Sequence, residues 1–267
     1  MSWLEYPKTP GSTVVGDLRV LGDFYSPQLD NRRDLLVCLP PSYKASSRRF
    51  PVLYMHDGHN LFDQARAYSG EWQVDETLQQ LSVEGLEAIV VGLPNAGEKR
   101  AYEYCPYPDV RLGGGGADLY LRFIVETVKP LVDSSFRTLP DRANTGLIGS
   151  SMGGLVSIYG FFTHPDTFGF AGVMSPAFWW TEGKIFGFLE AAPKVSGRIY
   201  MDIGGNETPE FPERRAAYWN DAHRTDGILR EKGYTPAEYR FLPELEGTHH
   251  ERDWARRLPD ALRFLLS

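Results

Sequence analysis

The sequence is poor in the residues that mark several specialised classes of protein. Among its 267 residues there are two cysteines, Cys38 and Cys105, which are too few for a disulfide framework and lack the spacing of metal ligands. No stretch approaches the roughly 18 apolar residues that a membrane helix needs. The first residues lack a charged segment followed by an apolar one, so no signal peptide is predicted. These absences favour a cytoplasmic protein that does not enter a membrane.

Basic residues are also fewer than acidic residues. The 28 lysines and arginines stand against 35 acidic residues, which gives a formal net charge of −7, and the two signs are interspersed. A nucleic-acid-binding protein would show a basic patch or stripe, so no nucleic-acid partner is predicted. The sequence has no internal repeat, and no change of composition marks a linker. We therefore expect a single domain over residues 1–267. The sequence leaves both a monomer and a homo-oligomer open.

Short apolar segments alternate with helical patterns after a start made only of strands. Strands are predicted at 13–25, 34–40, 51–57, 87–94, 145–149, 170–175, 197–204 and 237–243. Helices are predicted at 72–82, at 151–162, at 212–232 and at 251–266. A further helix is predicted to begin after Asp118, which would be its N-cap. This order predicts an α/β fold with a mostly parallel central sheet, antiparallel N-terminal strands and helices on both faces.

The segment LIGSSMGGL at 147–155 places glycines and serines between a predicted strand and a predicted helix. An ordinary turn is one interpretation of this composition. The other is a nucleophile elbow, because Gly149-x-Ser151-x-Gly153 has the required spacing between strand and helix. Glycines two residues away let neighbouring backbone approach, and the free N–H groups of a helix N-terminus can stabilise an oxyanion. Only Ser151, and not Ser150, has glycine at both positions, so Ser151 is the predicted nucleophile.

A serine nucleophile needs a histidine base and an acid that orients it, which in this kind of fold follow the serine in the order acid, then histidine. Glu207 follows the predicted strand at 197–204, and His249 follows the last predicted strand. Sites of open α/β sheets collect at the carboxyl ends of the strands. Asp202 lies inside a strand and is expected to point into packing. Solvated loop residues are the alternative, but three competent residues in the right order favour a catalytic triad.

Five segments of the sequence form a recognisable set: VLYMHDGHNLFD (52–63), GLIGSSMGGL (146–155), MSPAFWW (174–180), GGNE (204–207) and EGTHHERDW (246–254). Together they resemble the putative-esterase family of α/β-hydrolases. That family includes enterochelin esterases, feruloyl esterases, S-formylglutathione hydrolases and mycolyltransferases. The resemblance runs from about residue 15 to the C-terminus. It implies an α/β-hydrolase fold and a serine esterase that acts on a small-molecule ester without a metal or other cofactor.

Carried over position by position, the resemblance implies that Ser151 is the nucleophile and Glu207 the acid, where many members have aspartate. It implies that His249, five residues ahead of Trp254, is the base. The neighbouring His250 departs from the family pattern, since many relatives have asparagine there.

The resemblance also implies the groups around the reacting carbonyl. The backbone N–H groups of His59 and Met152 would form the oxyanion hole, although relatives often have glutamine where this chain has His59. Trp179 and Trp180 would line a substrate pocket, and packing beneath a loop is the alternative for both tryptophans.

Three functions are then open. The leading one is a serine carboxylic-ester hydrolase that forms an acyl-enzyme through a Ser-Glu-His triad. The second is an acyltransferase on the same triad, which would need an acceptor alcohol that outcompetes water. The third is a non-catalytic binding protein, which is disfavoured because a competent residue fills every triad position.

Overall fold

A computed structural model describes residues 2–267 of the chain. Within this range the strands are β1 (Leu4–Glu5), β2 (Asp17–Ser26), β3 (Asn31–Leu39), β4 (Val52–His56), β5 (Ile89–Leu93), β6 (Thr145–Ser150), β7 (Phe170–Met174), β8 (Arg198–Asn206) and β9 (Tyr239–Thr248). The α-helices are α1 (Val74–Ser82), α2 (Arg100–Tyr104), α3 (Ala117–Arg122), α4 (Lys129–Ser135), α5 (Met152–Thr163), α6 (Lys184–Ala191), α7 (Pro212–Glu231) and α8 (Glu251–Leu265).

All of these strands belong to one sheet in the order β1-β2-β3-β5-β4-β6-β7-β8-β9. The pairs β1–β2, β2–β3 and β3–β5 are antiparallel, whereas every pair from β5 across to β9 is parallel. The mostly parallel sheet with antiparallel N-terminal strands predicted from the sequence is therefore confirmed.

The central strands are apolar on both faces because helices cover both faces of the sheet. Leu53 and Met55 of β4 pack in one cluster with residues of α1 and α8. Val52 and Tyr54, which point the opposite way, pack in a second cluster with residues of α3, α4 and α5. The alternation of side chains along one strand thus places one core on each side of the sheet.

The helix start predicted at Asp118 is wrong. The helix begins at Ala117, and Gly116 precedes it without a side-chain cap. Asp118 is therefore already inside the first turn, where its side chain points outward and accepts a hydrogen bond from the Tyr159 hydroxyl at 2.9 Å. A pattern of apolar residues defines the face of a helix more sharply than its first residue.

The short strand β1 and the helices α2 and α6 were not predicted from the sequence. Over residues 2–267, no helix combines the length and the apolar character that crossing a bilayer requires.

Candidate active site

Ser151 occupies a sharp turn between the end of β6 and the start of α5. Its backbone has φ 57° and ψ −122°, a conformation that residues with a Cβ rarely adopt. A Cβ built on Gly149 would lie 2.7 Å from the carbonyl carbon of Gly153 and from Cδ2 of His56. The turn therefore requires glycine at 149, as the sequence predicts. Ser151 is partly exposed, whereas Ser150 is buried as the last residue of β6.

His249 lies directly after β9 with its ring against the predicted acid. Its Nδ1 is 2.5 Å from Oε2 of Glu207. The ring is packed between Tyr218, at a centroid distance of 4.9 Å, and Trp254, at 5.0 Å. With Nδ1 bound to a carboxylate, the tautomer that leaves Nε2 free to accept a proton is favoured.

Glu207 is buried and its second oxygen is also bound. Oε1 accepts hydrogen bonds from the Ser175 hydroxyl at 2.6 Å and from the Gly204 N–H at 2.5 Å. The Ser175 oxygen itself accepts from Trp254 Nε1 at 3.0 Å and from Arg257 Nη2 at 3.1 Å. Because both acceptor positions of this hydroxyl are occupied, its proton is directed to Glu207.

Ser175 was not singled out from the sequence. It has a φ of 42° at the end of β7, which is the kind of backbone conformation that collects at functional sites. The signal that could have found it is a lone serine directly after a buried strand, in the segment MSPAFWW.

Asp202 lies in the packing, where the sequence placed it. Burial raises the pKa of this carboxyl to about 6, although the nearby Arg257 acts in the opposite direction. Its Oδ1 accepts a hydrogen bond from the Ser175 N–H at 3.1 Å, and its Oδ2 is 3.6 Å from Nε of Arg257. Asp202 therefore supports the strand end on which Ser175 sits and does not contact His249.

The two adjacent histidines have different positions. His250 is half exposed and immediately precedes α8, where its Nδ1 accepts a hydrogen bond from the backbone N–H of Arg252 at 3.1 Å. This is the position of an N-cap, which satisfies one of the free N–H groups at the start of a helix. Of the two, His249 is the one placed beside Glu207.

The segment after β4 carries the predicted oxyanion group of His59. Asp57 has φ 55°, and the residues Gly58–Asn60 form a 3₁₀ turn that is closed by a hydrogen bond from the Asn60 N–H to the Asp57 carbonyl at 2.9 Å. The preceding N–H, that of His59, has no partner within such a turn, and neither does the N–H of Met152 at the start of α5. Both N–H groups are thus available to an incoming oxygen.

The carboxylate of Asp57 accepts hydrogen bonds from one basic side chain and one amide side chain. Arg100 donates from Nε to Oδ1 and from Nη2 to Oδ2, each at 2.8 Å, and Asn95 donates to Oδ1 at 2.6 Å. Burial alone would raise the pKa of Asp57, but Arg100 holds it below its usual range. Burial lowers the pKa of the neighbouring His59, and Arg100 acts in the same direction.

Ser151 and His249 border one cavity of about 660 Å³. The cavity has polar, charged and aromatic lining residues: Asp57, His59, Asn60, Tyr68, Ser69, Trp72, Asn95, Gly97, Glu98, Arg100, Ser150, Ser151, His249, His250, Glu251 and Trp254.

One wall of this cavity is the loop that connects β4 to α1. Glu251, two residues after His249, binds this loop through Oε1, which accepts hydrogen bonds from Asn60 Nδ2 at 3.0 Å and from the Ser69 hydroxyl at 2.5 Å. Tyr68 is almost fully exposed on the same loop. The wall is therefore fixed at two points to the start of α8.

Trp179 and Trp180 are not among the lining residues of that cavity. Trp179 packs against Tyr218, with ring centroids 6.0 Å apart, and lies under the Arg214 guanidinium at 4.9 Å. Trp180 is buried in a cluster with α6. A role of either tryptophan in substrate binding stays a prediction.

One group of carboxylates has the spacing of a metal site. The carboxylate oxygens of Glu71, Asp75 and Glu76 lie within 4.8 Å of one another at the start of α1. Asp75 accepts from the Val15 N–H at 2.7 Å, and both oxygens of Glu71 lie 2.9 Å from the Thr13 hydroxyl. Burial raises the pKa of Glu71 to about 7 and that of Asp75 to about 8. None of the three borders the cavity of Ser151.

Comparison with known proteins relates most of the chain to esterases. A family profile described as putative esterase matches residues 26–265. The chain is 28% identical over 242 residues to the uncharacterised protein YbbA of Bacillus subtilis (strain 168), which covers 88% of this chain and 92% of YbbA. It is 30% identical over 136 residues to the siderophore triacetylfusarinine C esterase of Aspergillus fumigatus, which covers 49% of this chain and 45% of that esterase. The chain thus matches somewhat less than half of the length of the siderophore esterase.

Among solved structures, the BES protein from Bacillus cereus superposes on the chain with a TM-score of 0.72 and 20% identity, over 100% of both chains. At this identity the likeness concerns the fold alone.

Proposed function

The chain belongs to the putative esterase family and is an ester-hydrolysing enzyme, and we propose that it acts through an acyl-enzyme formed on Ser151. The observation that carries this proposal is the contact of His249 Nδ1 with Glu207 Oε2 at 2.5 Å, on a cavity that Ser151 also borders. A solvated loop histidine would have no reason to be held between two aromatic rings and a buried carboxylate.

The proposed reaction begins when the Ser151 oxygen attacks the ester carbonyl carbon. His249 Nε2 accepts the hydroxyl proton while Glu207 keeps the proton on Nδ1 and stabilises the imidazolium that forms. The carbonyl oxygen becomes an oxyanion, which the N–H groups of Met152 and His59 stabilise. One such donor contributes about 2.7–4 kcal/mol in comparable sites.

The tetrahedral species then collapses. The bond from the carbonyl carbon to the alcohol oxygen breaks, and His249 gives its proton to the departing alcohol. Water attacks the acyl-enzyme, His249 accepts a proton from it, and the acid leaves as the Ser151 hydroxyl is restored. Each step uses groups of this chain and water, so the proposed mechanism assigns no part to a metal or other cofactor.

The proposed substrate is a small-molecule ester. The matched Aspergillus protein is named a siderophore esterase, and the mixed polar and aromatic lining of the cavity fits an ester that carries both polar and apolar groups. A single-domain organisation, a cytoplasmic location and the absence of nucleic-acid partners stay predictions, as does the oligomeric state.

The test is hydrolysis of p-nitrophenyl acetate, butyrate, octanoate and cinnamate by wild type and Ser151→Ala. We expect the substitution to lower kcat by at least about 10³-fold. The matched control is Ser157→Ala, which removes a buried hydroxyl of the same helix, bonded to the Gly153 carbonyl. If Ser151→Ala keeps wild-type turnover, the proposal is wrong.

Two further readouts separate the alternative functions. A fluorophosphonate should label wild type at Ser151 and leave Ser151→Ala unlabelled, which a non-catalytic binding protein would not show. Addition of an acceptor alcohol such as a sugar should give free acid as the main product. A dominant transferred ester would instead identify an acyltransferase.

A further inference from the structure

Arg100 contacts segments on both sides of the proposed oxyanion hole. Two of its nitrogens donate to the Asp57 carboxylate at 2.8 Å each, and Asp57 stands two residues before His59. The third nitrogen of its guanidinium, Nη1, lies 3.4 Å from the Met152 sulfur. One planar guanidinium therefore contacts the residue that sets the His59 turn and the residue that carries the other N–H.

Asp57 needs such support because its backbone is unfavourable. At φ 55° and ψ 44° it lies in the left-handed region, which residues other than glycine visit only when their surroundings hold them there. Helix α2 supplies the support at both ends of Asp57, since Arg100 binds its carboxylate and Tyr104 accepts a hydrogen bond from its N–H at 3.1 Å. Release of the carboxylate would let φ relax and rotate the peptides that lead to His59.

The turn is also confined by neighbouring backbone. A Cβ on Gly58 would lie 2.7 Å from main-chain atoms of Gly92, Leu93 and Pro94, so the turn packs directly on the end of β5. This close packing leaves the turn little freedom to move toward β5.

Arg100 is itself held in one orientation. Its guanidinium lies over the Tyr104 ring at 5.2 Å from the centroid, and its side chain is about one-quarter exposed. Its charge is paired with that of Asp57, so the contribution we infer comes from geometry and not from an unpaired positive charge. A lysine could not reproduce the fork, because an ammonium group does not bind both carboxylate oxygens in one plane.

We propose that Arg100 is a positioning residue that aligns the two N–H groups of the oxyanion hole by fixing Asp57 and Met152 together. The inference rests on the proposed function of Ser151. It implies that loss of the guanidinium weakens stabilisation of the transition state more than binding of the substrate.

The experiment compares wild type, Arg100→Met and Arg100→Lys on two esters, neutral p-nitrophenyl butyrate and the anionic mono-p-nitrophenyl succinate. We expect Arg100→Met to lower kcat by about 10- to 100-fold on both, as small misplacements of catalytic groups do, with KM within about threefold. Arg100→Lys should recover only a small part of the kcat that Arg100→Met loses. An aliphatic trifluoromethyl ketone, which forms an oxyanion on the serine, should lose affinity in proportion to the loss of kcat/KM.

Two results would overturn the proposal. One is a wild-type kcat in folded Arg100→Met. The other is a rise of KM confined to the anionic ester, which would make Arg100 a direct binder of a substrate carboxylate. If Arg100→Met fails to fold because Asp57 is left buried without its partner, the double variant Asp57→Asn/Arg100→Met removes that charge and carries the same test.

The matched control is Arg142→Met. Arg142 lies just before the start of β6, at the end of the sheet opposite the site. It donates hydrogen bonds to the backbone carbonyls of Pro165, Phe168 and Ser196. It should lower the melting temperature and leave kcat unchanged. If Ser151→Ala is inactive while Arg100→Met turns over normally, this inference alone fails; if Ser151→Ala is fully active, the proposed function fails with it.

Discussion

Glu207 and His249 are joined twice. The side chains meet between Oε2 and Nδ1 at 2.5 Å, and the backbone N–H of His249 donates to the carbonyl of Glu207 at 3.2 Å. The second bond continues the pairing of β8 with β9, whose last matched residues are Asn206 and Thr248. The register of two parallel strands therefore places Glu207 beside His249.

Replacement of Glu207 by glutamine tests that contact. In Glu207→Gln the carbonyl oxygen would remain with the Gly204 N–H and the amide would face His249, which favours the wrong imidazole tautomer. We expect kcat to fall by up to about 10⁴-fold with little change of KM, as in comparable triads. Steady-state kinetics would measure this, with Glu210→Gln on the exposed loop as the control. A loss of less than tenfold would exclude Glu207 as the orienting acid.

The neighbouring histidines should differ in what their removal changes. His249→Ala should remove turnover in a protein of nearly normal stability. His250→Ala should lower the free energy of unfolding by about 0.5–2 kcal/mol, because a helix cap is lost, and His250→Asn should restore most of it. Urea unfolding of the three variants measures the free energy of unfolding, and ester hydrolysis measures their turnover. Comparable loss of turnover in folded His250→Ala and His249→Ala would contradict the assignment of the base.

The close packing of the elbow makes Gly149 intolerant of a methyl group. Gly149→Ala would place Cβ within 2.7 Å of backbone, so we expect misfolding or a loss of turnover similar to that of Ser151→Ala. Gly187 in α6 has open space around its Cβ position, and Gly187→Ala should stabilise the protein by up to about 1 kcal/mol. Thermal unfolding and ester hydrolysis compare the two. A fully active Gly149→Ala would show that the turn is looser than described.

The carboxylates at the start of α1 should make stability depend on pH. Burial raises the pKa of Glu71 to about 7 and of Asp75 to about 8, whereas such groups titrate near about 4 in an unfolded chain. The folded protein therefore binds more protons than the unfolded chain between about pH 4 and pH 8. Stability is fully present below this window and falls as pH rises through it.

The measurement is the melting temperature from pH 5 to pH 9. We expect wild type to lose stability across this range and Asp75→Asn to lose less, so that the variant is the more stable protein at pH 9. Asp166→Asn, on an exposed loop, should follow the wild-type curve. Parallel curves for wild type and Asp75→Asn would show that the buried carboxyl does not set the slope.

The parts of the molecule that follow from strand ends could be predicted from the sequence. Glu207 and His249 each follow a strand, and the carboxyl ends of parallel strands meet at one edge of the sheet, so the order of the strands alone brings them together. The glycine spacing around Ser151 likewise has a steric cause that the sequence displays.

What could not be predicted depends on side-chain direction. Ser175 binds Glu207 from a backbone with positive φ, and Arg100 binds Asp57 from α2, a helix that the sequence did not predict. Trp179 packs against Tyr218, a contact that the sequence pattern does not show. Periodicity reports which face of an element is buried, and it carries no information on which neighbour a buried side chain meets.

The attachment of the cavity wall to Glu251 has a consequence for how this enzyme can diversify. Glu251 holds the loop of Asn60 and Ser69, and it begins α8, which starts two residues after His249. A change that widens the cavity by releasing this loop would also loosen the segment that carries His249, the proposed base. New substrates gained by that route would come with slower turnover, whereas changes at the exposed rim, at Tyr68, could alter selectivity without that penalty.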